Sequence, residues 1–166
     1  INVEAQKLAT KAVREGLRSY DKNRAWRSNY QNILLDENEQ QVTDEKEIQR
    51  RLNNFKHADW YGDEYEKGEY IKGLVMKVNP VKDEVTVRFG RYTATVTAKE
   101  MGRSGKKPKD ELKVGFLSEF EIKEVNNDTQ TLTVQLSQVP EVQASIVSIN
   151  AKTGEVVAMV GGYDFY

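Results

Sequence analysis

Four short patterns in this chain have the residue types and spacing of an acyl-transfer centre. Ser19-Tyr20-Asp21-Lys22 and Ser104-Gly105-Lys106-Lys107 both read S-x-x-K, Ser148-Ile149-Asn150 reads S-x-N, and Lys152-Thr153-Gly154 reads K-T-G. In serine acyl-transfer chemistry the lysine, one helical turn on, faces and activates the hydroxyl, and the other two patterns wall the cleft. That geometry needs the serine to open a helix. Ser104 instead sits in a Gly/Lys-rich loop, and Ser19 falls near a helix end beside Asp21. Ser148 and Lys152 flank a single tight turn, too close in sequence to stand on two sides of a cleft. No nucleophile and base can be drawn from them, so no catalytic residue is expected.

Metal chemistry fares no better. His57 is the single histidine, with Asp59 and Asp63 nearby, and Asp63, Glu64 and Glu66 form an acidic run. One histidine with carboxylates in a polar connector lacks a transition-metal ligand set, and the run lacks the alternation and glycine of a calcium loop. Cysteine is absent, which removes a thiol nucleophile, a disulfide framework and a thiolate site. Asn127-Asp128-Thr129 fits a glycosylation acceptor and, more simply, a β-turn. Gly161-Gly162 is followed by no phosphate-loop lysine. No cofactor and no metal are expected.

The elements that would position any function centre on Tyr70 to Leu136, five runs in which apolar and polar residues alternate. Leu74, Met76 and Val78 alternate first, then Val85, Val87 and Phe89, then Tyr92, Ala94 and Val96. Phe116, Phe120 and Ile122 follow, and Leu132, Val134 and Leu136 close the series. A period of two is that of half-buried strands. Asn79-Pro80 with Asp83, Gly90, the loop from Gly102 to Pro108, and Asn126-Asn127-Asp128 punctuate them. A helical turn at Ala98 to Met101 between the third and fourth strands gives the order of an OB-type Greek-key barrel, with Gly73 at the bend of the first strand. A meander or half-sandwich is the alternative topology.

Ahead of the barrel, Asn2 caps a helix with Ala5, Leu8, Ala9, Ala12, Val13, Gly16, Leu17 and Tyr20 on one face. Residues 18–41 are polar apart from Ile33-Leu34-Leu35. Thr43 is the expected cap of a second helix with the stripe Ile48, Leu52 and Phe55, and an aromatic, acidic connector runs from His57 to Glu66. After the barrel, Ala144 to Asn150 and Glu155 to Gly161 read as two apolar strands joined by a Gly-containing turn, like strands inside a larger sheet. The fold class is therefore mainly β with flanking helices (α+β): a five-stranded OB-like barrel, an N-terminal helix and a C-terminal β-hairpin. With 166 residues, 38% hydrophobic and 31% charged, and a net charge of −1, the chain lacks the basic excess usual in nucleic-acid binders. No run approaches the ~20 apolar residues of a membrane span, and residues 1–20 do not read as a signal peptide.

The C-terminal residues carry a resemblance. Val139-Pro140-Glu141-Val142-Gln143-Ala144, then Thr153-Gly154-Glu155-Val156, then Ala158-Met159-Val160-Gly161-Gly162-Tyr163-Asp164-Phe165 resemble the opening of the transpeptidase domain of class A, bifunctional penicillin-binding proteins. Gln6, Ala12-Val13-Arg14-Glu15-Gly16-Leu17, Tyr20-Asp21 and Trp26-Arg27 resemble the helix before that family's inserted region, with Ala25 where a glycine is common. In the 1a group an OB-like domain lies between these landmarks. The resemblance divides the chain into a transpeptidase helix stub at 1–29, a connector at 30–69, the barrel at 70–137 and a transpeptidase hairpin stub at 138–166. The family's catalytic S-x-x-K would follow residue 166, and Lys152-Thr153-Gly154 would be only a turn.

What this resemblance implies is a periplasmic, non-catalytic docking module within a peptidoglycan synthase. Its implied partners are the rest of the transpeptidase domain and an outer-membrane lipoprotein activator. Strand alternation places Thr86, Arg88, Arg91, Thr93 and Thr95 outward as the candidate protein-binding residues, with Phe89 and Tyr92 inward. The other readings are a nucleic-acid-binding OB or S1-like domain and a passive spacer.

Overall fold

In the computed structural model, residues 1–62 and 64–163 are described. Two compact units result, Ile1–Ala25 with Val139–Tyr166, and Trp26–Gln138. The second is thus inserted into the sequence of the first.

In the inserted unit, β2 (Tyr70–Asn79), β3 (Glu84–Phe89), β4 (Tyr92–Val96), β5 (Phe116–Asn126) and β6 (Thr131–Ser137) form a closed barrel, with β1 (Gln31–Asn32) added beside β5. The strand order is β1-β5-β2-β3-β4-β6, and β5 also pairs with β6. All pairings are antiparallel except β4 with β6, which meet in parallel at Thr93 and Thr131. This is the OB-like closure expected from the strand series. Val85, Val87, Phe89, Tyr92, Ala94, Val96, Leu132, Val134 and Leu136 all point inward, as their alternation predicts. A 3-10 segment, Ala98–Ser104, extends past the expected single turn and is opened by a capping box between Thr97 and Glu100. The short helix α3 (Pro108–Glu111) follows.

The first strand departs from simple alternation. A bulge between Val75 and Lys77 shifts its register against β3. Ile71 and Val75 before the bulge face the barrel interior, as does Val78 after it, whereas Leu74 and Met76 join a second core outside it. Gly73 is fixed by packing: a Cβ there would lie 2.4 Å from Phe89 Cε1 and 2.6 Å from Val87 Cγ1. The second core has Leu34, Leu52, Leu74 and Leu117 at its centre, with Ile33, Ile48, Phe55 and Trp60 around them. Residues 31–60 are thus a layer on the outer face of β2 and β5. In this layer α2 (Glu45–Asn54) is capped by Asp44, one residue beyond the expected Thr43, because the Asp44 carboxylate accepts from Glu47 N at 2.9 Å.

The discontinuous unit packs α1 (Val3–Asp21) on the hairpin of β7 (Ile146–Ile149) and β8 (Val156–Val160). Asn2 caps α1, as expected. The buried stripe is narrower than the sequence suggests: Val13 and Leu17 pack with Val160 and Tyr163, while Leu8 and Tyr20 point to solvent. A Cβ on Gly16 would touch nothing among the described residues, so Gly16 serves no close approach here, whereas Ala9 packs against the buried cluster. The Gln6 amide donates to Met159 O at 2.8 Å and accepts from Met159 N at 2.9 Å. Asn2 N donates to Val157 O at 2.8 Å. The outer edge of β8 is therefore hydrogen-bonded to the start of α1, as a neighbouring strand would do. On the hairpin's other face Val147, Ile149, Val156 and Met159 are exposed. Among the described residues no helix is long and apolar enough to cross a membrane.

Candidate docking face

The five residues singled out from alternation sit on or beside the outer surface of β3 and β4. Thr86 stands opposite Thr95 and Arg88 opposite Thr93, which makes those four one contiguous patch. Arg91, Thr93 and Thr95 are exposed, and Thr86 and Arg88 are half-buried. Arg91 lies at the β3–β4 turn with its guanidinium carbon 5.7 Å from the Tyr92 ring centroid. Phe89 and Tyr92 are inward, so no aromatic from these two strands faces out.

Arg88 is not available in the way the pattern suggests. Its guanidinium donates to Asn53 O at 3.2 Å and Phe55 O at 2.8 Å, both at the C-terminal end of α2. It also stacks on Trp60, 5.0 Å from the ring centroid. Burial pushes its pKa down, yet the helix end it faces carries partial negative charge that favours the cation. Trp60 is held edge-on to Phe55, with centroids 5.6 Å apart, and its indole N–H donates to Lys72 O at 2.7 Å. Asp59 accepts from Lys72 N at 2.8 Å. Tyr65 reaches across Gly90 to donate to Phe89 O at 3.4 Å and packs edge-on against Tyr92. Burial is the main reason its phenol is pushed up to about 12. Sequence reading sees these aromatics only as a connector. No sequence signal assigns them to β3, from which the whole of β2 separates them in the chain.

A second polar cluster sits where α3 meets the barrel. The Glu111 carboxylate accepts from Trp26 Nε1 at 3.2 Å, from Tyr30 Oη at 2.6 Å and from the Ser28 hydroxyl. Lys106 Nζ lies 2.9 Å from its other oxygen. Burial opposes ionisation, but the bonds from Ser28, Tyr30, Lys106 and Trp26 outweigh it and hold the pKa down to about 2. Burial likewise raises the Tyr30 phenol, with Glu111 adding to it. The cluster fastens residues 26–30 to the barrel.

The other chemical patterns are taken up in structure. Ser104 Oγ donates to Met101 O at 2.8 Å, and Lys107 holds the N-cap position of α3 without a capping side-chain bond. Ser19 lies on α1, and Lys22 is its C-cap. Asn150 Oδ1 accepts from Lys152 N at 2.9 Å inside the hairpin turn. Asn127 Oδ1 accepts from Tyr92 Oη at 2.8 Å. His57 caps a 3-10 turn by accepting from Asp59 N. Asp63, Asp164, Phe165 and Tyr166 lie outside the described residues. Among the described residues no group of three or more His, Cys, Asp or Glu could hold a metal.

Residues 64–137 match the family described as S1 RNA binding domain. Penicillin-binding protein 1A from Neisseria meningitidis is 27% identical over 172 aligned residues that take in 100% of this chain and 19% of that protein. The chain is similar, from end to end, to one segment of penicillin-binding protein 1A. The namesake from Neisseria cinerea is 28% identical with 100% of the chain aligned, and that from Rickettsia felis 29% identical with 99% aligned. The chain spans about a fifth of the length of these relatives. Among solved structures, GSP13 from Bacillus subtilis is 16% identical with a TM-score of 0.38, covering 44% of this chain and 56% of its own. An uncharacterized protein from Methanocaldococcus jannaschii is 15% identical with a TM-score of 0.37, covering 48% and 100%.

Proposed function

We propose that this chain is a non-catalytic docking module of a bifunctional peptidoglycan synthase that works in the periplasm from an inner-membrane anchor. The observation that carries this reading is the end-to-end similarity to penicillin-binding protein 1A. The insertion adds to it, since the barrel unit joins the discontinuous unit at both its ends. Through these paired connections a partner that binds the barrel can bias the catalytic domain of the parent synthase. The partner proposed is an outer-membrane lipoprotein activator, received on the exposed patch of Arg91, Thr93 and Thr95. The apolar face of Val147, Ile149, Val156 and Met159 would then meet the remainder of the transpeptidase domain.

The second reading, nucleic-acid binding, rests on the S1 family match. Single-strand binders present stacking aromatics in a positive groove. Here the outward arginine of β3 is already engaged by the chain itself, and the net charge is −1. The test is a titration of isotope-labelled chain with the soluble activator and, separately, with a single-stranded oligonucleotide. Saturable shifts at Arg91 to Thr95 with the activator alone support docking. Oligonucleotide shifts that fade with rising salt favour the second reading, and silence in both leaves a spacer. A fluorescent β-lactam should leave the chain unlabelled. Covalent labelling at Ser19, Ser104 or Ser148 would end the non-catalytic reading.

A further inference from the structure

The segment from Asn53 to Trp60 behaves towards the barrel as a bound ligand would. Pairing of β2 with β3 begins at Leu74, which leaves the β3-facing edge of β2 open at Lys72. Asp59 and Trp60 close it: a carboxylate takes the Lys72 N–H and an indole N–H takes the Lys72 carbonyl. An added strand makes these same two contacts with main-chain groups. Beside this edge, two carbonyls at the end of α2 face the Arg88 guanidinium, where an anionic group would sit, and the Trp60 ring stacks on it. The site is half-hidden only because the chain fills it.

We infer that Asn53–Trp60 is an intramolecular stand-in for a partner peptide that presents an aspartate and a tryptophan side by side on a turn, which binds the Lys72 edge and Arg88 when the strap lifts. The chemistry of the occupant sets that of the visitor: a carboxylate for the Lys72 N–H, an aromatic ring for Arg88, and backbone carbonyls beside it. Nothing here calls for a phosphate backbone. This inference rests on the docking reading and extends its face from Thr93 to the adjoining Arg88 and the Lys72 edge, with a partner chemistry added. The peptide experiment below reports on this face alone, whereas the activator titration reports on any face, so the two can fail separately.

The probe is a fluorescent synthetic peptide of residues 53–62, added to the full chain and read by anisotropy. A tethered segment competes at an effective concentration of order millimolar, so the wild type should bind the peptide at least ~10-fold more weakly than a variant whose strap is loosened. That variant is Asp59→Ala with Trp60→Ala, both outside the barrel's interior core, with Trp60 at the border of the second one. Adding Arg88→Ala to it should abolish most of the gain. Equal binding to wild type and variant, or none to a variant whose barrel spectrum is intact, overturns the inference. So does a variant that gains affinity for a single-stranded oligonucleotide but not for the peptide. Should the variant not fold, amide exchange in the wild type decides instead. A strap that lifts locally makes the Lys72 amide exchange at least ~10-fold faster than that of Val87, and exchange of both at one global rate rules lifting out.

Discussion

Replacing Glu111 by Gln tests what holds residues 26–30 to the barrel. The carboxylate is buried and receives hydrogen bonds from Trp26, Ser28 and Tyr30, with Lys106 at its second oxygen. Its pKa falls from 4.5 to about 2 on folding. A shift of that size corresponds to about 3 kcal/mol between charged and neutral forms. Glu111→Gln keeps the shape and removes the charge, so it should destabilise the unit by about 2–3 kcal/mol at pH 7. The folded-state pKa is the lower one. The stabilisation is therefore fully present above the unfolded value of 4.5 and is lost as pH falls through the window to about 2. Wild type and variant should converge across that window and differ by a constant amount above it. Both tryptophans, Trp26 and Trp60, belong to the barrel unit, so urea unfolding followed by tryptophan fluorescence reports on this unit alone. A loss below ~0.5 kcal/mol at pH 7 with an unchanged urea slope would refute the account. So would a difference between the two proteins that does not change down to pH 2.

Further outcomes follow from contacts elsewhere. Gly73→Ala drives a Cβ into Phe89 and Val87, and should cost about 3 kcal/mol by the same fluorescence assay; a midpoint shift within error would mean that the Phe89 ring moves aside cheaply. Gln6→Ala removes two hydrogen bonds to Met159 and should cost about 1–2 kcal/mol in the discontinuous unit. Amide exchange at Met159 should rise accordingly, and an unchanged rate would show that water replaces the glutamine without loss.

The barrel was legible because its code is local. Val85, Val87 and Phe89, and then Tyr92, Ala94 and Val96, each alternate cleanly, with turn residues between them. The bulge at Val75 to Lys77 was not legible, since a one-residue shift in pairing leaves the local pattern of apolar residues intact. Leu74 and Leu117 were hard to place for a related reason. Strands β2 and β5 are covered on both faces, and the cover comes from residues 31–60, whose destination no period announces. The candidate patch was half legible. Alternation put Thr86, Arg88, Thr93 and Thr95 on one surface, and pairing brings them together there. That Arg88 is occupied depends on Asn53, Phe55 and Trp60, which reach it only through tertiary packing. Glu111 gave no signal, since three of its four partners, Trp26, Ser28 and Tyr30, lie about 80 residues upstream.

The amide of Gln6 makes the hairpin sheet directional. With the Met159 N–H and C=O both satisfied by one side chain, the rim of β8 has nothing left to offer a further strand there. Across the hairpin, Val147 stands opposite Met159, and its main-chain groups point away from β8. Growth of this sheet is therefore one-sided: any strand that continues it enters next to β7. A glutamine in a helix thus fixes which edge of a sheet stays open to another strand.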